Sequence, residues 1–269
     1  MTDHILNTAD TAIRARSVNV YSGDYRVLKD VSVSVPRGRL SVIIGPTGCG
    51  KSTLIKVLAG ILIPDSGDIL FGDKQYRGFN EKELKALRKT NGFVFQDSAL
   101  WQNKSIFENL SLPLRFHFPE LKPRDISSRV EETLRDISLL DSIHLRPAQL
   151  STGEQKMVSF ARACITGPSL LYLDEPTMLV DLAMRRKILD RIQREKERRT
   201  TMIAVTHDTE MLSSLADYLI LLRDGFVVRT GPAAELRQST DESVLEIIAE
   251  SLAGTQARPP AVLPPEEMP

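Results

Sequence analysis

An apolar run, a glycine-rich turn and a helix follow one another at residues 40–60, and few folds accept that order. Gly45-Pro46-Thr47-Gly48-Cys49-Gly50-Lys51-Ser52 fits G-x-x-x-x-G-K-[ST]. Leu40-Ser41-Val42-Ile43-Ile44 reads as a buried strand entering the turn. Ser52 to Ala59 reads as a helix leaving it, with Gly60 as its stop. Glycines let backbone N–H groups close around phosphate oxygens, and a helix N-terminus adds partial positive charge. Gly45, Thr47, Gly48, Cys49, Gly50, Lys51, Ser52 and Thr53 are therefore the candidate phosphate contacts. Lys51 is placed to reach the terminal phosphates, and the Ser52 hydroxyl to ligate Mg²⁺.

Hydrophobic residues make up 42% of the 269, enough for one large core or two small ones. Lys+Arg and Asp+Glu both number 35, so a broad nucleic-acid-binding surface is not implied. The two cysteines are Cys49 and Cys164. A disulfide at Cys49 would obstruct the loop, so reduced thiols in a cytosolic setting are expected, with Cys164 packing as a small apolar side chain. The N-terminus lacks an apolar signal region, and no apolar run is long enough to span a bilayer.

Residues 1–12 read as a loose lead-in. Valine-rich alternation at 13–20 and 27–35 predicts antiparallel strands, and 68–72 a short third one. A polar helix is predicted over 81–89 and an apolar strand over 91–96. From about 98 to 167 the period becomes helical, notably at 106–110 and 126–140, as expected of a helical insertion in an α/β core. The β pattern returns at 170–173 and 202–205 around a helix at 184–198, a βαβ unit. Asp224-Gly225 breaks 219–228 into a hairpin. Leu245, Ile248 and Leu252 outline a short packed helix over 242–252. Gly254 to Pro269 holds five prolines and no sustained apolar face, so residues 253–269 are expected to be a disordered Pro-rich tail.

Leu170-Leu171-Tyr172-Leu173-Asp174-Glu175 is an apolar strand ending in two acids. Asp174 at such a tip can hold Mg²⁺, and Glu175 can polarise an attacking water; the pair also fits an ordinary strand end. Gln96 ends a strand where its amide could touch the metal and that water, and His207 ends another where it could bond the γ-phosphate and hold Glu175. Either also fits a structural role. Leu150-Ser151-Thr152-Gly153-Glu154-Gln155 precedes a helix. Ser151 and the N–H groups near Gly153 form a second anion-binding helix start, or simply a good N-cap.

Taken in series, these motifs resemble the ATP-binding subunits of ABC transporters over about residues 13 to 250, which implies one nucleotide-binding domain at 13–252 with a helical insertion at about 98–167. Gly45 to Ser52 is similar to their Walker A loop, Gln96 to the Q-loop, and Leu150 to Gln155 to the signature. Leu171 to Glu175 is similar to Walker B, Asp181 to the D-loop acid and His207 to the switch histidine. The resemblance implies an α/β P-loop NTPase core of ABC type with an antiparallel β subdomain and a helical insertion. It implies an ATPase that uses ATP and Mg²⁺ and works as a head-to-tail homodimer, each ATP lying between one phosphate loop and the other subunit's Ser151 and Gly153. Lys51, Gln96, Glu175 and His207 are then the catalytic candidates. Ser52, Gln96 and Asp174 are the metal candidates. Tyr21 is the adenine-stacking candidate, with Tyr25 the alternative because the spacing is one residue long. Thr152 departs from the common Leu-Ser-Gly-Gly form of the signature, standing where its first glycine is usual.

Gln96 to Trp101, Ile106 to Asn109, Leu112 to Arg115 and Gly231 to Val244 resemble Mla/Mce-linked phospholipid-transport ATPases in particular. That resemblance implies a membrane permease pair of the MlaE kind, a substrate-binding protein with an Mce fold, and a peripheral location on the cytoplasmic face of the inner membrane. Ser151-Thr152-Gly153-Glu154-Gln155 is closer to lipoprotein-release and division-linked ATPases, the alternative; soluble, non-transport relatives are a third class. Leu100 and Trp101 are read as lining a groove for a permease helix, or as core.

Overall fold

The computed structural model describes residues 10–253, so the Pro-rich tail and most of the lead-in lie outside the described residues. In chain order the elements are β1 (Thr11–Ser22), β2 (Tyr25–Pro36), β3 (Leu40–Ile44), α1 (Lys51–Leu58), β4 (Ser66–Phe71), β5 (Lys74–Gln75), α2 (Glu81–Thr90), β6 (Asn91–Val94) and α3 (Ile106–His117). They continue with α4 (Pro123–Asp136), α5 (Thr152–Cys164), β7 (Leu170–Asp174), α6 (Leu182–Glu197), β8 (Thr201–Val205), β9 (Tyr218–Arg223), β10 (Phe226–Pro232), α7 (Ala233–Arg237) and α8 (Glu242–Ala253).

Two sheets form. The order β2-β1-β4-β5 is antiparallel throughout. The order β10-β9-β3-β8-β7-β6 is parallel from β9 to β6, with β10 antiparallel at the edge. The parallel strands are buried on both faces, which is why they read as unbroken apolar runs rather than alternating ones. Their side chains nevertheless alternate between two cores. Leu40, Val42, Leu171, Leu173, Met202 and Ala204 face one, shared with α3, α4, α5 and α6. Ile43, Tyr172, Ile203 and Val205 face the other, shared with α1 and the antiparallel sheet. The helical segment beyond residue 98 thus shares its apolar core with the sheet. Ile106, Leu110, Ile126, Val130 and Met157 all belong to the first cluster.

The close seat of α5 on the sheet has a local cause. A Cβ at Gly92 would lie 2.3 Å from the Ala163 carbonyl oxygen, so only glycine lets β6 and α5 approach this far. Several boundaries differ from the sequence reading. β1 begins at Thr11, inside the supposed lead-in, because it pairs with the end of β2. The helix expected over 126–140 runs from Pro123 to Asp136 and ends before Ser138, whose φ of 59° is left-handed. Leu139 and Leu140 reach the core through a following short turn. In α8 the buried side chains are Val244, Ile247 and Ser251, while Leu245 and Leu252 are exposed. Docking on β3 and β9, with Glu246 and Glu250 paired to Arg223, selects that face; of the expected trio Ile248 packs on the core and Leu245 and Leu252 do not. The basic run 191–199 closes on its own neighbours: Arg191 and Arg194 pair with Asp136, and Arg198 with Glu195. Among the described residues no helix is long and apolar enough to cross a membrane.

Candidate functional site

β3, β6, β7 and β8 all end at one edge of the parallel sheet, and the expected side chains meet there. Lys51, Ser52, Gln96, Glu175, Met178 and His207 line a cleft of about 470 Å³, together with Thr47, Gly48, Gly50 and Thr53 of the loop. Gly45, Gly48 and Gly50 all have positive φ (153°, 81° and 104°). Gly45 has the tightest surroundings: a Cβ there would lie 1.9 Å from the Leu222 carbonyl oxygen. The loop is thereby pressed against the end of β9. Cys49 is buried and unpaired, and burial raises its thiol pKa. Cys164 is unpaired as well and packs against the apolar core.

Lys51 is 7% exposed, and its ammonium donates to the carbonyls of Gly45 (2.8 Å) and Pro46 (2.9 Å). The loop holds its cation in place with its own backbone, at the start of α1. Ser52 donates its hydroxyl to Asp174 Oδ1 at 3.1 Å. A hydroxyl and a carboxylate meeting at one point are hard oxygen donors of the kind Mg²⁺ selects, so these two residues fit the ion. The Gln96 amide instead donates to Met178 Sδ at 3.4 Å.

Asp174 and Glu175 are 2% and 8% exposed. Burial raises the Asp174 carboxyl pKa, opposed by the Ser52 hydroxyl and by Lys56, Lys156 and Lys51. Burial also pushes Glu175 up to about 7. The His207 backbone N–H and Lys51 oppose that shift, Asp174 adds to it, and Lys156 opposes it. His207 Nε2 lies 3.6 Å from Glu175 Oε1. Burial and the nearby Lys51 lower the His207 pKa, against a hydrogen bond to the Ser251 backbone on α8, so a neutral imidazole faces the carboxyl. The next residue, Asp208, grips Arg185 of α6 in a bidentate pair at 2.6 and 2.7 Å and so anchors the turn that carries His207.

The raised pKa of Glu175 predicts an inverted pH dependence for one part of the stability. Its folded-state value lies above the ordinary 4.5, so the unfolded chain releases this proton first. Stability from this group is intact below about 4.5 and declines as pH rises to about 7. Beyond that the buried charge costs on the order of 3 kcal/mol. Nucleotide-free Glu175→Gln is therefore expected to melt above the wild type at pH 8, the gap closing toward pH 4. A constant gap across thermal melts would contradict the shift.

Other expected residues lie elsewhere. Ser151 and Gly153 do not line this cleft. Ser151 caps α5 in a reciprocal box with Glu154, leaving Ser151 and Thr152 exposed at the helix start. Gly153 is buried, with Met184 Cγ 2.9 Å from where its Cβ would be. Asp181 caps α6 by accepting from Met184 N at 2.8 Å. Tyr21 is 49% exposed and Tyr25 59%, and neither lines the cleft. Leu100 is buried in the core, while Trp101 is 47% exposed beneath the Arg162 guanidinium.

The sequence reading missed Lys156 and the Arg185–Asp208 pair. Lys156 is 3% exposed and donates to the carbonyls of both Gln96 and Glu175 at 2.9 Å. Its only sequence signal is a cation on what becomes the buried face of α5, between Gly153 and Met157.

This arrangement has known counterparts. The family model for ABC transporters matches residues 28–178. The chain is 34% identical over 229 residues to the sulfate/thiosulfate import ATP-binding protein CysA of Pectobacterium atrosepticum, covering 84% of this chain and 68% of that one. It is also 34% identical over 239 residues to the intermembrane phospholipid transport system ATP-binding protein MlaF of Haemophilus influenzae, covering 88% and 89%. Among solved structures, the ATP-binding cassette MJ0796, in a dimeric post-hydrolysis state bound to ADP and Pi, superposes with a TM-score of 0.75. The identity there is 28%, with 82% of this chain and 98% of that one covered. A parallel sheet whose strand tips gather a phosphate loop, paired acids and a histidine, matched over most of its length by these relatives, makes this chain a member of the ABC transporter family: an ATP-binding cassette that uses ATP with Mg²⁺ and hydrolyses it.

Proposed function

We propose that the chain powers phospholipid transport across the cell envelope. It would act as a peripheral ATPase on the cytoplasmic face of the inner membrane, with an MlaE-type permease pair and an Mce-type binding protein. Cassettes of this family dimerise and work with membrane permeases. The observation that favours lipid is the run of motifs Gln96 to Trp101, Ile106 to Asn109, Leu112 to Arg115 and Gly231 to Val244, which resemble Mla/Mce-linked ATPases, beside the 34% identity to MlaF. The order Ser151-Thr152-Gly153-Glu154-Gln155 favours a lipoprotein-release or division-linked system as the second reading.

Within the cassette, residues 13–252 act as one nucleotide-binding unit with 98–167 as its helical insertion. Gly45, Thr47, Gly48, Cys49, Gly50, Lys51 and Thr53 grip the phosphates. Ser52, Asp174 and Gln96 hold Mg²⁺, which neutralises phosphate charge when bound. Glu175 takes the proton of the attacking water; a carboxylate held near pH 7 suits a general base. His207 steadies it, and Lys51 offsets charge developing on the terminal phosphate. Tyr21 stacks on adenine. Ser151 and Gly153 serve the partner subunit's nucleotide across the dimer, with Asp181 at the same interface. Their absence from their own cleft and the exposed start of α5 support that division of labour.

Affinity capture of the tagged chain from detergent-solubilised membranes tests the transport assignment. A multispanning permease and an Mce-fold protein are expected in stoichiometric amounts, with phospholipid retained in the complex. A sulfate importer's or a lipoprotein-release partner set would overturn the lipid reading.

A further inference from the structure

Lys156 is a buried cation that no step above uses. It lies on the first turns of α5, whose start carries Ser151, and it is 3% exposed. Its ammonium donates to Gln96 O and to Glu175 O, both at 2.9 Å. One side chain thus joins three segments: the start of α5, the stretch after β6, and the tip of β7.

Glu175 needs such a tie. Its φ of 49° is left-handed, a conformation that costs a residue with a Cβ on the order of 1–2 kcal/mol and persists only where the surroundings over-determine it. On one side its N–H donates to Val205 O at 2.9 Å; on the other its carbonyl accepts from Lys156. Both main-chain polar groups are therefore pinned. The stretch after Gln96 is strained in the same sense, with Ser98 at φ 64° and Ala99 at 45°. Their carbonyls accept from Arg162, two turns further along α5. Two cations of α5 therefore hold both strained segments. A buried ammonium is tolerated only when charge-assisted hydrogen bonds offset its desolvation, and here backbone carbonyls supply them.

We propose that Lys156 is a positioning residue that locks the backbone of Glu175 to that of Gln96 and to the start of α5, so the three move as a unit. This rests on the roles assigned above to Glu175 and Gln96. A shift of the Gln96 segment is passed through one ammonium to the general base, and equally to the helix start that faces the partner subunit.

The test uses the full-length chain and compares Lys156→Met, Lys156→Arg and Glu175→Gln. Three quantities are measured: kcat, affinity for a fluorescent ATP analogue, and amide hydrogen exchange without nucleotide. Misplacement of a reacting group by about 1 Å can cost about a hundredfold in rate, so K156M is expected to lower kcat by at least about tenfold. Analogue affinity should stay within about threefold, a shift of well under 1 kcal/mol. Exchange should accelerate together at 95–99 and 175–179 and stay unchanged at 45–53. K156R, which keeps the charge and can reach both carbonyls, should recover most of the turnover. Wild-type kcat in K156M, or acceleration in only one of the two segments, would overturn the proposal. So would a fall in kcat accompanied by faster exchange throughout the domain, which marks a merely structural lysine. If K156M fails to fold, Lys156→Gln takes its place, and failure of both to fold also counts against the proposal. Full activity in E175Q would remove the site assignment itself. A stalled E175Q beside a fully active K156M would remove only the role of the lysine.

Discussion

Glu175→Gln is expected to cut ATP turnover by about two to three orders of magnitude, within the range general-base catalysis contributes, while ATP binding is retained. The substitution preserves shape and one acceptor oxygen, so the hydrogen bond from the His207 backbone N–H survives and the tip of β7 keeps its fold. It removes the one function an amide cannot perform, taking a proton near neutral pH. In the proposed dimer ATP joins the two subunits and hydrolysis releases them, so the variant should accumulate as an ATP-bound dimer. Single-turnover kinetics and size-exclusion chromatography with and without Mg-ATP check both halves of the expectation. Normal turnover would take Glu175 out of its role.

Lys51→Ala should weaken ATP binding by about 30-fold to a thousandfold, the range seen when one partner of a buried, hydrogen-bonded charge pair is truncated. Lys51 is nearly enclosed, and the Gly45 and Pro46 carbonyls hold it in the loop before nucleotide arrives. Little side-chain ordering then remains for the binding step, which concentrates the loss in direct phosphate attraction. In the apo protein the same change leaves two carbonyls to find water, so a small fall in melting temperature is also expected. Equilibrium titration with a fluorescent nucleotide decides the matter. Unchanged affinity would refute the phosphate-loop assignment.

Much of the fold was legible because its signals are local. β3, β7 and β8 are apolar runs because they are buried on both faces. The hairpin at Asp224-Gly225 follows from two residues that tolerate positive φ, and both adopt it (51° and 83°). Gly45 to Ser52 stood out as a complete local pattern, while Asp174-Glu175 and His207 gained weight only in series with it. What escaped depends on pairing at long range. Lys156 looks like any helix-surface lysine until β6 and β7 bring two carbonyls to it. Asp208 looks like a turn residue until α6 supplies Arg185. In α8, spacing pointed to Leu245, Ile248 and Leu252, and docking instead buried Val244, Ile247 and Ser251 and left Leu245 and Leu252 exposed.

Sequence alone determined the order of strand, loop and helix around residues 40–60, the candidates for gripping phosphate and the family the chain belongs to. These follow from backbone geometry and chemistry within a few neighbouring residues. Tertiary structure alone decided that four strand tips from distant parts of the chain share one cleft, that Ser151 and Gly153 lie outside it, and that a lysine on α5 ties the carbonyls of Gln96 and Glu175 together. Those outcomes follow from which surfaces bury one another, and local residue order does not encode that.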